Sequence, residues 1–111
     1  KGQSFESFVI TQIRQLLSLH YSGVELFHWR SAGGAEVDLI IKAEGNTIPL
    51  EIKLSKSPNK NMTKGLHAFM KDMKLRKGYV IYPGKECYSL GHGIHTLPLH
   101  DFLMDPRAFI S

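Results

Sequence analysis

Two neighbouring stretches constrain the fold of this chain more than any others: Gly34-Ala35-Glu36-Val37-Asp38-Leu39-Ile40-Ile41 and Ile48-Pro49-Leu50-Glu51-Ile52-Lys53-Leu54. Each reads as an apolar strand interrupted by a few charged residues. Side chains alternate along a strand, so Leu50, Ile52 and Leu54 are expected on one face and Glu51 and Lys53 on the other. The same alternation sets Val37, Leu39 and Ile41 against Glu36, Asp38 and Ile40. Gly45-Asn46 is placed to form the two-residue turn of a hairpin, and that loop would set Asp38 opposite Lys53 and beside Glu51. Directly opposed residues share a face. Two carboxylates and an ammonium are therefore expected to converge across one hairpin, an arrangement suited to a hard cation.

The rest of the chain supplies a framework for that hairpin. Phe5, Phe8, Val9, Ile13, Leu16 and Leu17 recur at three- and four-residue spacings and predict a helix from about Ser4 to Leu19, with Ser4 as N-cap. Glu6 falls in its first turn, where the helix dipole favours a carboxylate, and it is also free to face the sheet. Tyr21-Ser22-Gly23 is expected to end the helix, and the aromatic stretch Glu25 to Ser31 reads as a first strand turning at Gly33-Gly34. After the hairpin, Ser55 to Asn61 is a polar loop. Leu66, Phe69, Met70 and Met73 predict a second helix over Met62 to Leu75 with a core-facing stripe, stopped by Gly78. Gly78 to Tyr82 reads as a buried strand. Cys87 to Leu90 and Ile94 to Leu97 look like short strands, and His100 to Met104 like a last helical turn. The expected fold class is α/β, in the order helix, three strands, helix, strand. A right-handed crossover would lay the fourth strand parallel to the third in a mixed central sheet flanked by helices.

Composition narrows the setting. At 111 residues the chain is long enough for one self-supporting domain, and a single cysteine excludes a disulfide framework and fits a reducing compartment, here read as cytoplasmic. No run approaches the roughly 20 apolar residues of a membrane span, and no signal-peptide core is present. The chain starts at Lys1 within what reads as a helix approach, which suggests a piece of a longer protein. The net charge of +4 is unevenly spread: from Lys53 to Lys77 eight basic residues face Asp72 alone, so the remainder is net negative. Such a block suits a polyanion lying over the hairpin, with Arg30, Lys56, Lys60 and Lys64 as contacts; it also suits a solvated, lysine-rich surface. Trp29 is expected in the core.

A Mg²⁺ or Mn²⁺ ion takes oxygen ligands and retains waters, so one or two carboxylates can hold it beside a substrate phosphate. Asp38 and Glu51 are the candidate ligands, with the carbonyl of Ile52 as a third. Lys53 is the candidate catalytic group, able to orient or deprotonate a water or to stabilise charge developing on phosphorus. Glu6 would support the cluster if its helix packs over the hairpin. The same residues would also make an ordinary surface ion pair. Cys87, His92, His95 and His100 form a second set, with spacing that matches no common zinc pairing. Gly84-Lys85 is followed directly by Glu86 rather than Ser or Thr, so it does not make an ATP phosphate loop.

Asp38 followed thirteen residues later by Glu51-Ile52-Lys53, in this element order, resembles the signature of the PD-(D/E)XK, or restriction endonuclease-like, superfamily. Val37 stands where that signature names proline. Gly2-x-x-Phe5-Glu6-x-x-Val9, Phe27-x-Trp29-Arg30, Gly34-x-Glu36-Val37-Asp38 and Ile48 to Lys53 are further similar to the uncharacterised C-terminal domain that follows an AAA-type ATPase module in many bacterial and archaeal proteins. The resemblance implies a restriction endonuclease-like core with Glu6, Asp38, Glu51 and Lys53 at the nuclease positions, DNA as the nucleic-acid partner, and an ATPase module elsewhere in the intact protein. Cutting both strands of a duplex would be simplest for a homodimer. The alternative is a nuclease fold kept for nucleic-acid or protein recognition, or for regulating the ATPase, without turnover.

Overall fold

The computed structural model describes residues 4–110. Gly2, which opens the N-terminal motif, lies outside them. The chain folds as α1 (Phe5–His20), β1 (Glu25–Arg30), β2 (Glu36–Ala43), β3 (Asn46–Ile52), a 3₁₀ turn (Lys60–Thr63), α2 (Lys64–Met73), β4 (Gly78–Tyr82), β5 (Ser89–Gly91), β6 (Ile94–Pro98), α3 (Leu99–Met104) and α4 (Arg107–Ile110). The strands form one six-stranded mixed sheet in the order β1-β2-β3-β4-β6-β5. The pairs β1/β2, β2/β3 and β5/β6 are antiparallel, whereas β3/β4 and β4/β6 are parallel. The expected crossover through α2 is present. No helix among the described residues is long and apolar enough to cross a membrane.

Both faces of the sheet are covered. Val9, Ile13 and Leu17 of α1 pack with Phe102 of α3 and Ile110 of α4 over Leu39, Ile41, Leu50 and Ile52. On the other face Leu66, Phe69 and Met70 of α2 pack over Val37, Ile40, Val80 and Ile94. Trp29 sits half-buried at the margin of this second cluster, edge-on to Phe69 with ring centroids 5.2 Å apart. Met73, expected in the α2 stripe, is instead 53% exposed because the helix ends there. It stops at Lys74, which adopts a left-handed φ of 57°, rather than at Gly78. Gly78 serves packing: a Cβ there would come within 2.7 Å of Met70 Sδ, so its absence lets α2 settle on β4.

The start of α1 is as expected. Ser4 Oγ accepts the Ser7 N–H at 3.1 Å, satisfying one of the free donors of the first turn. Ser4→Ala is expected to lower stability by about 1 kcal/mol in chemical denaturation, with an unchanged denaturant slope.

Two features of the hairpin differ from the sequence expectation. Its loop is Glu44-Gly45, both at positive φ (54° and 82°), and Ala43 pairs with Asn46. Positive φ at both loop positions gives the twist that suits a two-residue hairpin. Moving the loop by one residue moves the register by two, which preserves the faces while directing Asp38 toward Glu51 rather than Lys53. The second difference is a bulge. Phe27 pairs with Ile40 but Trp29 with Val37, so β2 carries one extra residue at Asp38-Leu39. Val37 therefore joins Ile40 on the α2 face instead of sharing a face with Leu39 and Ile41.

Candidate carboxylate site

The bulge and the end of β3 together build the site. A bulge re-aims side chains and interrupts a ladder. Here the β2/β3 ladder runs from Ala43↔Asn46 to Leu39↔Leu50, and beyond it the Ile52 N–H is taken by Asp38 Oδ2 at 2.8 Å. Asp38 is thereby fixed beside the strand that carries Glu51. Alternation along β3 sends Leu50 and Ile52 into the α1 core and Glu51 to the opposite side, beside Val80 of β4. The next residue, Lys53, is anchored by its N–H to the Ile81 carbonyl at 2.9 Å.

Glu51 is only 9% exposed, and its Oε1 has no hydrogen-bond partner among the described residues. Its other oxygen lies 3.8 Å from Lys53 Nζ, too far for a tight ion pair. Burial pushes the Glu51 carboxyl up from 4.5 to about 8, and the neighbouring Asp38 carboxylate adds to the shift, which Lys53 only partly offsets. Glu36 adds more weakly to the same field. Two carboxyl groups that interact this strongly titrate as a pair. A buried polar atom without a partner is costly, and this one sits beside a second acid and an ammonium.

Glu6 faces the sheet, one of the two orientations open to it, and its Oε2 accepts the Leu54 N–H at 3.1 Å. It thus clamps the strand exit just beyond Lys53. No group of three or more His, Cys, Asp or Glu among the described residues could hold a metal ion, so the carboxylates that meet are the pair Asp38 and Glu51. The same observation separates Cys87, His92, His95 and His100. Partial desolvation, then Asp101, pushes the Cys87 thiol up, contrary to what a thiolate nucleophile needs.

The candidate basic contacts divide. Lys56 and Lys60 are exposed along the loop and 3₁₀ turn that follow Lys53, and Lys64 is exposed at the start of α2. That segment is tied down where Tyr88 Oη donates to the Pro58 carbonyl at 2.8 Å. Arg30 is engaged elsewhere, with Nη2 2.9 Å from Glu36 Oε2 in an exposed ion pair beside His28. Sequence reasoning missed a contact on this side. His67 of α2 and His92 of the β5/β6 turn stack with centroids 4.0 Å apart, a pairing across twenty-five residues that no local periodicity reveals.

Fold and site together define an α/β domain with a buried carboxylate pair and an adjacent lysine at the end of a central strand. Residues 1–102 match the family described as a domain of unknown function, DUF4143, and the chain belongs to that family. It is 28% identical over 102 residues to an uncharacterized protein of Mycobacterium tuberculosis and, to the same extent, to one of Mycobacterium bovis. The match covers 92% of this chain but 22% of each relative, so the chain spans about a fifth of their length.

Proposed function

We propose that this domain is a PD-(D/E)XK-type module that binds nucleic acid, and DNA first, and hydrolyses its phosphodiester bonds with Mg²⁺ or Mn²⁺. The observation that carries the reading is the buried Glu51 carboxyl beside Asp38, with Oε1 unpartnered among the described residues and Oε2 3.8 Å from Lys53 Nζ. A carboxyl pair with an unsatisfied oxygen is an all-oxygen donor set of the kind hard divalent ions take. Asp38, Glu51 and the Ile52 carbonyl would hold the ion, which would supply charge neutralisation at the reacting phosphate. Lys53 Nζ would orient the attacking water or stabilise the charge that develops on the phosphoryl oxygens. Glu6 acts on the site by holding the backbone at Leu54, which fixes where Lys53 stands. Lys56, Lys60 and Lys64 would receive the flanking phosphates, in keeping with the dominance of backbone contacts in nucleic-acid affinity.

In the intact protein we place this domain after an AAA-type ATPase module, which the far greater length of the mycobacterial relatives leaves room for. A homodimer would be the simplest route to cutting both strands of a duplex. A second reading, a nuclease fold kept for recognition without turnover, rests on the raised Glu51 carboxyl, because a carboxyl that keeps its proton is a poor cation ligand.

The test is Mn²⁺- and Mg²⁺-dependent cleavage of single-stranded, duplex and branched DNA by the wild type, Asp38→Asn and Lys53→Ala. Each substitution is expected to lower the rate by about a hundredfold, the scale seen when one group stabilising developing charge is removed. Equal rates in all three proteins would refute the assignment. Salt-dependent binding with no turnover in any of them would select the recognition module.

A further inference from the structure

We propose that the β5/β6 turn carries a stacking platform for one unpaired base of a single-stranded nucleic acid, with His92 as its surface and Lys60 and Lys64 receiving the adjoining phosphates. This rests on the nucleic-acid part of the reading above and extends it to the class of strand. The hairpin between β5 and β6 has a two-residue loop, His92-Gly93, at φ 56° and 81°, preceded by Gly91 at 89°. Gly or Asn at the first loop position would meet that demand at lower cost than a histidine. The residue that occupies it instead lays its ring on His67 of α2, with centroids 4.0 Å apart and planes 16° from parallel. His92 is exposed while His67 beneath it is half-buried, so the outer face of the His92 ring is the one open to a ligand.

The surroundings suit a base joined to phosphates. Lys60 Cε lies 3.5 Å from where a Cβ on Gly91 would be, which brings this side chain to the edge of the turn. Lys64 stands one helical turn before His67 on the same side of α2, and Lys71 one turn after it. None of the three lysines forms an ion pair among the described residues. Two nearly parallel rings cannot aim their in-plane nitrogen lone pairs at one ion, so the pair is unsuited to chelating a metal. A flat π-system on the outer ring, with its phosphates on the lysines, uses every group present. Base-on-aromatic stacking between positively charged walls is the general mode of single-strand binding. The lysine-bearing segment from Lys53 to the 3₁₀ turn, pinned at Pro58 by Tyr88, joins this platform to the carboxylate site. A strand resting on both would follow that segment.

The experiment is fluorescence anisotropy in EDTA with labelled oligothymidylate, oligouridylate and an abasic phosphodiester of equal length. The proteins are the wild type, His92→Gly and His92→Asn. Both substitutions accept a positive φ, so the turn keeps its conformation while the ring is lost; circular dichroism checks the fold. The wild type is expected to bind the base-bearing strands about ten-fold or more tightly than the abasic one, and both variants to lose that margin while binding the abasic strand unchanged. Preference between the thymidylate and uridylate strands assigns DNA or RNA within the same proposal. A wild type that does not distinguish base-bearing from abasic strands, or a His92→Gly protein that binds like the wild type, overturns the platform. Either result leaves metal-dependent cleavage at Asp38 and Glu51 to stand or fall by its own assay.

Discussion

Glu51→Gln is expected to make the protein more stable at pH 8 and to leave it unchanged near pH 4.5. In the folded state the Glu51 carboxyl is raised to about 8 from an ordinary 4.5. Between those values the folded protein holds a proton that the unfolded chain has released, so unfolding free energy falls as pH rises through the window. The stabilisation carried by the protonated group is complete below pH 4.5 and lost by about pH 8. A tenfold difference in proton affinity between the folded and unfolded states is worth about 1.4 kcal/mol, which puts the ceiling at about 5 kcal/mol; relaxation and water entry reduce the expected gain to about 2–3 kcal/mol. Glutamine keeps the shape and removes the titration. Thermal melts of both proteins from pH 5 to 8 should therefore diverge, the wild type losing ground by about 4–8 °C for each kcal/mol. Parallel pH profiles would show that Glu51 ionises normally. Mn²⁺ supplies an opposing arm: cations and protons compete for the same oxygens, so stabilisation of the wild type by the ion should grow with pH and be weak in the glutamine variant.

Glu51 also shows how far the sequence reached. Its placement on one face with Lys53 and beside Asp38, with Lys53 opposite Asp38, is what alternation and a hairpin between two apolar runs predict; the hairpin and the alternation of β3 are present in the structure. The register did not follow, because Gly45-Asn46 has residues that tolerate left-handed turns, yet the strands close around Glu44-Gly45. That error was harmless to the faces, since a one-residue move of the loop shifts pairing by two. The bulge was hidden for a different reason. β2 is covered on both sides, by Leu39 and Ile41 against α1 and by Val37 and Ile40 against α2. An apolar run buried on both faces carries no alternation from which an extra residue could be seen. The partnership of Glu6 with the Leu54 N–H and the stack of His67 on His92 join residues far apart in the chain, and only tertiary packing brings them together. The basic segment was legible as charge; its attachment at Pro58 through the Tyr88 hydroxyl was not.

Gly65→Ala is expected to destabilise the protein by about 3 kcal/mol, against the sign that helix propensity alone gives. Gly65 lies in the first turn of α2, and exchanging a helical glycine for alanine ordinarily gains up to about 1 kcal/mol. Here a Cβ would overlap the carbonyl oxygen of Glu36 and stand 3.2 Å from its nitrogen. Both are backbone atoms of β2, immediately before the bulge, so no side-chain rotation can make room. The helix must lift, which withdraws Leu66, Phe69 and Met70 from Val37, Ile40 and Val80. Overpacking of this kind costs about 1–3 kcal/mol and occasionally more, and the rigid strand puts this case at the upper end. The displaced helix also carries Lys64 and His67, so affinity for nucleic acid should fall together with stability, whereas Ser4→Ala at the far helix should lower stability alone. Equilibrium denaturation of the two variants, with anisotropy on oligothymidylate under conditions where both remain folded, separates the outcomes. A Gly65→Ala protein as stable as the wild type would mean that α2 does not rest on the β2 backbone.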